Sequence, residues 1–341
     1  MREKRRPLVG ISAGDPAGIG PEVTAKALAQ GRVYEIARPL VVCDRAVMDA
    51  AIRFSGLRLE SRAVDSPASG RFQHGTIDVL DMPNVDMSRL AYKTVSAMTG
   101  KASFEYIRRV IELAMARQID ATVTGPINKE AINSAGYHYA GHTEIYGELT
   151  GSRDYAMMLA DGGFRVVHVS THCSLREACD RARKARVLRV IGLAHDALRR
   201  LGTERPRIAV AGLNPHAGEN GLFGREEIEE IAPAIREARL AGIDASGPFP
   251  PDTVFSKMAG GMFDIVVVMY HDQGHIPTKL QGFRYDAATN TWGSMSGVNV
   301  TLGLPIVRAS VDHGTAFGKA GEGRANPESM IQAIEMAVRL A

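Results

Sequence analysis

Short β-branched runs alternate with amphipathic helical patterns along nearly the whole chain, and this alternation predicts a mainly parallel sheet covered by helices. Candidate strands are Leu8–Ile11, Leu40–Val42, Ala121–Thr124, Val166–Ser170, Ile208–Leu213, Ile265–Tyr270 and Ile306–Arg308. Pro21 at the first turn and Gly31 as a stop bracket a helix over Glu22–Gln30. Phe104, Ile107, Val110, Ile111 and Ala114 share one helical face, and Asn326-Pro327 starts a last helix over Glu328–Leu340. Leu188, Ile191, Ala194, Leu198 and Leu201 line a further helical pattern over Arg176–Leu201.

At 341 residues the chain exceeds one ordinary core, so two domains, or one large one, are expected. No linker, repeat or low-complexity tract marks a boundary. The Gly136–Thr150 and Gly293–Leu304 stretches are the plausible crossings.

A hydrophobic share of 45% and a charged share of 23% supply a buried core and argue against disorder. Net charge is only +3 and dispersed, which disfavours nucleic acid; the basic run Arg181–Arg186 is read as a solvated helix face. Three cysteines, Cys43, Cys173 and Cys179, suggest no disulfide framework. The apolar stretch after Arg2–Arg6 is too short for a signal-peptide core, and no run approaches the roughly 20 apolar residues of a membrane span, so a cytoplasmic enzyme is expected.

Three apolar runs end on a histidine: His172, His216 and His271. Ligands of open α/β sheets collect outside the carboxyl ends of parallel strands, so imidazoles delivered there can converge. Three neutral nitrogens suit zinc, cobalt, nickel or manganese better than magnesium or calcium, and three protein ligands leave an open, catalytic position. Any one of the three alone reads as a core or turn residue. Asp272 is either a further ligand, a partner orienting an imidazole, or a turn cap.

Other clusters carry weaker chemistry. Gly14-Asp-Pro-Ala-Gly-Ile-Gly-Pro-Glu22 opens the first helix and favours an anion there, but its spacing fails as a Rossmann fingerprint. Gly141-His-Thr-Glu144 gathers polar groups, with Thr143 equally able to cap a helix. Lys279 and Arg308 near strand ends, with Asn299, suit a phosphorylated acid. A Gly-rich stretch from Ser310 to Gly323 offers backbone amides for a nucleotide, or is a plain surface loop.

Taken in order, Gly14–Glu22, Thr124-Gly-Pro-Ile-Asn-Lys129, Gly141–Glu144, Asn214-Pro-His-Ala-Gly-Glu219, Tyr270-His-Asp-Gln-Gly274, Gly297–Pro305 and Asp312-His-Gly-Thr315 resemble the 4-hydroxythreonine-4-phosphate dehydrogenase family over nearly the whole chain. The resemblance implies two α/β/α domains of the isocitrate and isopropylmalate dehydrogenase type, with the active site in the cleft between them. Residues 1–135 with 300–341 would form the first and 136–299 the second. It implies a homodimer that completes the site, a divalent metal on His172, His216 and His271, the third ligand coming across the dimer, and NAD as cofactor. Zinc is favoured, ahead of cobalt, manganese or magnesium. By position, His142, Thr143, Lys279, Asn299 and Arg308 match substrate-binding residues. Asp312, Gly314, Thr315, Gly321 and Gly323 are assigned to the NAD site, and Lys279, Asp252 or a water is the expected proton acceptor.

The chain departs from the family by an extra polar segment, Arg284–Ser296 with Trp292. Ser170-Thr-His-Cys-Ser-Leu175 and Phe317–Gly323 look more like the branch acting on 4-phospho-D-threonate or 4-phospho-D-erythronate. The expectation is NAD-dependent, metal-dependent oxidation, with decarboxylation, of a 4-phosphorylated hydroxy acid. The rivals are a dehydrogenase of aromatic cis-dihydrodiol carboxylates, a metal-dependent hydrolase and a non-catalytic binder.

Overall fold

A computed structural model describes residues 5–288 and 291–341, with backbone alone for 291–295. The start of the basic Arg2–Arg6 segment and the side chain of Trp292 lie outside the described residues. The chain divides into two compact units, residues up to Arg153 with Leu304–Ala341, and Asp154–Gly303.

In the first unit the strands are β1 (Leu8–Ser12), β2 (Arg38–Cys43), β3 (Glu60–Val64), β4 (Thr76–Asp81), β5 (Ala121–Thr124) and, after the second unit, β14 (Arg308–Val311). They lie in the order β3-β4-β2-β1-β5-β14, all parallel. β1 and β5 are buried along their whole length, as expected of strands covered by helices on both faces. The order turns back between β1 and β5, the switch point at which such sheets open a ligand crevice.

The helix predicted around Phe104 runs over Ala97–Met115 with Ser96 accepting from Thr99 N as its cap. Its Phe104, Ile107 and Ile111 pack with Ile132, Ile145 and Tyr146. That packing draws the Gly136–Thr150 stretch wholly into the first unit, where the reading had placed a crossing.

The second unit holds β6 (Ala156–Asp161), β7 (Phe164–His168), β8 (Ile208–Ala211), β9 (Ala245–Phe249), β10 (Ile265–Val268) and β13 (Val298–Leu302), in the order β13-β6-β7-β10-β8-β9. Strands β7, β10, β8 and β9 are parallel and β6 is antiparallel to both neighbours. Leu159, Val166, Ala209, Val254, Val266 and Val268 form part of its core. The additional segment forms an antiparallel pair, β11 (Phe283–Asp286) with β12 (Thr291–Met295).

Several boundaries differ from expectation. The first helix is Gly20–Leu28, and Gly31 opens a second short helix, Gly31–Ile36, instead of ending one. Arg176–Leu201 is two helices, Leu175–Arg181 and Lys184–Arg200, because Arg183 is extended and starts the second. Arg186 is no solvated cation: its guanidinium donates to Val169 O at 3.0 Å and Tyr155 O at 2.8 Å, holding two backbone segments together. Strand β14 begins at Arg308, where the predicted strand ended. The three cysteines are free thiols, and no helix among the described residues is long and apolar enough to cross a membrane.

Candidate functional site

Two polar clusters form, one in each unit. In the second, β7, β10 and β8 lie side by side and parallel, so the segments leaving them emerge on one sheet edge. His172 follows β7, His271 opens the helix His271–Gly282 after β10, and His216 follows β8.

The rings of His172 and His271 are 6.0 Å apart between centroids. Both line a cavity of about 330 Å³ with Thr171, Cys173, Tyr270 and Asp272. His271 Nδ1 lies 2.6 Å from Asp272 Oδ1, the orienting contact that was one of three readings for Asp272.

His216 does not join them. Among the described residues no three His, Cys, Asp or Glu side chains are grouped to hold a metal, so the expected trio is incomplete within one chain. The reason is local: residues His216, Ala217, Gly218, Glu219 and Asn220 all have φ between 43° and 81°, a left-handed turn, and the His216 ring instead meets Phe223 at 6.1 Å. Such a run costs a non-glycine chain roughly 1–2 kcal/mol per residue. Buried Glu227 sustains it, accepting from Leu213 N and Asn214 N at 2.8 Å and from Asn214 Nδ2 at 2.9 Å.

Two histidines escaped the reading. His275, one turn after His271, stacks on it at 3.6 Å with ring planes 8° apart, and His168 sits 4.8 Å from His275. Burial pushes His275 down to about 3 and His168 down to about 4, so both rings are neutral at pH 7. The spacing of four residues from His271 was the available signal for His275. Gly274 is small because a Cβ there would lie 2.5 Å from His168 Nε2.

Lys279 continues the same helix spacing, its ammonium 4.4 Å from the Phe283 ring centre. Asn299 is half-buried on β13 opposite Leu159, and Asp252 is exposed in the turn before the helix Val254–Ala259.

In the first unit, Arg308, His142 and Thr143 come together at the carboxyl end of β5. Arg308 is 2% exposed, donates from Nη2 to Thr124 Oγ1 at 3.2 Å and lies 5.6 Å from the Tyr146 ring centre. Burial lowers its pKa to about 10, leaving it charged at pH 7. Burial, then the Arg308 and Lys129 charges, hold His142 well below the usual imidazole range. His142 Nε2 is buried without a hydrogen-bonding partner among the described residues, a vacancy that suits a ligand donor. His142 and Thr143 lie in the first turn of the helix His142–Leu149, whose cap is Gly141 and not Thr143.

The two glycine-rich stretches, distant in sequence, also meet in this unit. Ile19 N donates to Thr315 O at 3.0 Å, and a Cβ on Gly18 would lie 3.0 Å from Thr315 Cβ. Asp312 N donates to Ser329 Oγ at 3.1 Å. A Cβ on Gly321, at φ 76°, would lie 2.9 Å from the Tyr92 ring, and one on Gly323, at φ 67°, 2.5 Å from Phe54 O. Gly314, Ala316 and Gly318 remain exposed between these fixed points, presenting backbone outward. An exposed glycine-rich backbone beside a helix start fits a dinucleotide phosphate in kind.

The chain is similar to known proteins over most of its length. The family described as pyridoxal phosphate biosynthetic protein PdxA matches residues 35–337. A D-threonate 4-phosphate dehydrogenase from Salmonella typhimurium is 48% identical over 98% of both chains. The crystal structure of a 4-hydroxythreonine-4-phosphate dehydrogenase from Klebsiella pneumoniae superposes with a TM-score of 0.86 at 45% identity, covering 98% of both chains. A terephthalate 1,2-cis-dihydrodiol dehydrogenase from Burkholderia xenovorans gives 0.68 at 31% identity, again over 98% of both. A family match spanning most of the sequence and relatives nearly half identical from end to end lead to one conclusion: the chain belongs to the PdxA family.

Proposed function

We propose that this protein is an NAD-dependent, divalent-cation-dependent dehydrogenase that oxidises a secondary hydroxyl of D-threonate 4-phosphate or its D-erythronate counterpart, with loss of carbon dioxide from the keto acid formed. The carrying observation is the buried Arg308 beside His142, whose Nε2 lacks a partner among the described residues: a charged fork for the anionic oxygens, and an imidazole lone pair for a hydroxyl, of a phosphorylated hydroxy acid. The relatives named for D-threonate 4-phosphate and the Ser170–Leu175 segment favour that substrate over 4-hydroxythreonine 4-phosphate.

His172 and His271 fit a borderline cation in kind, since bonds of about 2 Å to each imidazole bring two rings on one ion near the separation seen. The expectation took His271 from across the dimer; because His271 lies beside His172 in one chain, this reading instead takes the third nitrogen from His216 of the partner subunit, which makes the working enzyme a homodimer. A cation held there would lower the pKa of the substrate hydroxyl, and a nicotinamide would accept the hydride.

The remaining steps fall to the chain. Asp272 holds the His271 ring with Nδ1 engaged, so that Nε2 faces outward. Arg308 and Thr143 bind phosphate or carboxylate oxygens and His142 Nε2 accepts from a substrate hydroxyl, with Lys279 and Asn299 as further contacts, so binding at the unreacting end orients the reacting carbon. The proton acceptor is Lys279, exposed Asp252 or a water. The loop Asp312–Gly323 receives the dinucleotide.

Purified protein with NAD and added zinc, cobalt or manganese is offered D-threonate 4-phosphate, D-erythronate 4-phosphate, 4-hydroxy-L-threonine 4-phosphate and a terephthalate cis-dihydrodiol, and reduced nicotinamide is read by absorbance. Turnover fastest with one of the first two is expected. No reduced nicotinamide with any phosphorylated acid would overturn the proposal.

A further inference from the structure

The helix Gly20–Leu28 is buried on nearly every residue, yet it carries an acid in its first turn, Glu22, and a base in its last, Lys26. Glu22 is fully buried, and Lys26 retains 16% side-chain exposure. The Lys26 ammonium spends three donors on three acceptors: Glu22 Oε1 at 2.8 Å, Gly323 O at 2.7 Å and Ala325 O at 2.8 Å. An ammonium has three N–H bonds, so its capacity is filled. Glu22 Oε1 also accepts from Ala325 N at 2.6 Å. One helical turn therefore grips both carbonyls and one amide at the far end of the 312–325 loop, about 300 residues away in sequence.

The near end is fastened separately, by Ile19 N to Thr315 O. Asp312 N, donating to Ser329 Oγ at 3.1 Å, fastens the span before that, and between Asp312 and Gly323 neither Gly314 nor Gly318 has a heavy atom of the described residues within 4 Å of the position a Cβ would take. Ala316 is held at φ 42°, a left-handed conformation that an unanchored alanine rarely keeps. An exposed span pinned at both ends has lost its conformational freedom before any ligand arrives, and preordering of this kind raises affinity without adding a contact.

We infer that Lys26, supported by Glu22, is a positioning residue for dinucleotide binding: it touches no ligand and acts by holding the Gly314–Gly318 backbone in a receptive conformation. This inference rests on the assignment of the 312–323 loop to the cofactor.

The test measures NAD binding by titration calorimetry without substrate, in the wild type, Lys26→Met, Lys26→Gln and Gly314→Val. Gly314 has open space at its Cβ and no left-handed φ, so its valine variant folds while obstructing the outer face of the loop. The expected result is NAD binding weakened tenfold or more by Lys26→Met, less by Lys26→Gln, which retains two donors, and weakened also by Gly314→Val. Exchange of the hydrogen-bonded amides of Lys319, Ala320, Glu322 and Ala325 should be slow in the ligand-free wild type and fast in Lys26→Met. A melting-temperature loss with unchanged NAD affinity in Lys26→Met, while Gly314→Val binds weakly, would overturn the inference and leave the loop assignment standing. Unchanged affinity in Gly314→Val as well would overturn both. Should Lys26→Met fail to fold, fast exchange at those same hydrogen-bonded amides in ligand-free wild type would still refute the preordering.

Discussion

Asp272 Oδ1 sits 2.6 Å from His271 Nδ1, on adjacent residues at the start of one helix. A carboxylate there keeps the proton on Nδ1 and leaves the Nε2 lone pair outward, the state a metal-binding imidazole needs. Asp272→Ala is expected to weaken zinc or cobalt binding about 10–100-fold. His172→Ala and His271→Ala should abolish it with melting little changed. Metal content after dialysis against a chelator reads all three, and full retention by the histidine variants would remove the cation from this site.

Arg308 supplies a planar fork that lysine cannot imitate. Charge-assisted hydrogen bonds of this kind contribute about 1.5–3 kcal/mol each. Arg308→Lys should accordingly raise KM for the phosphorylated acid about 10–100-fold while the Km for NAD stays near wild type. Steady-state kinetics with each substrate varied in turn decide it; equal shifts for both would point to general damage.

Asp15 gives the protein a pH-dependent stability. Burial pushes its carboxyl from 3.8 up to about 6, against hydrogen bonds from Ala17 N and Thr99. Between these values the folded chain binds the proton that the unfolded chain has released, so stability declines as pH rises and levels off above about 6. Asp15→Asn keeps an acceptor for Ala17 N and removes the ionisation. Relative to wild type it should gain on the order of 1 kcal/mol between pH 5 and pH 8. Urea midpoints at the two pH values test this; a constant difference would refute it.

Gly14→Ala should destabilise by about 1–3 kcal/mol or more. Gly14 has φ 82°, and a Cβ there would approach Pro126 O to 2.4 Å, at the point where the turns after β1 and β5 meet. Equilibrium unfolding in urea measures the loss, and a neutral outcome would mean the two turns separate without cost.

Much of the architecture was legible because local pattern and global fold agree. The buried, mostly apolar or β-branched runs at Leu8, Ala121, Ile208 and Ile265 are strands as read, and Glu328–Leu340 is the helix expected, with Asn326 Oδ1 accepting from Glu328 N at 2.9 Å. Strand β6 was missed although Asp161-Gly162-Gly163-Phe164 carries a hairpin turn, with Gly162 at φ 57°. Its methionine-rich run, Ala156–Asp161, lacks the β-branched residues by which the other strands were recognised.

Of the candidate site, the sequence alone determined which residues carry the chemistry: imidazoles placed after strands, and Arg308 and His142 in their motifs. Hydrophobic period and residue type are local properties and can be read along a line. Only tertiary structure decided which of these groups meet. It set β10 between β7 and β8, bringing His172 and His271 together, and turned His216 aside through a left-handed run held by Glu227. It also joined Glu22 and Lys26 to Gly323 and Ala325. Strand order and long-range hydrogen bonds depend on how whole elements bury their apolar faces against one another, and no local spacing encodes that choice.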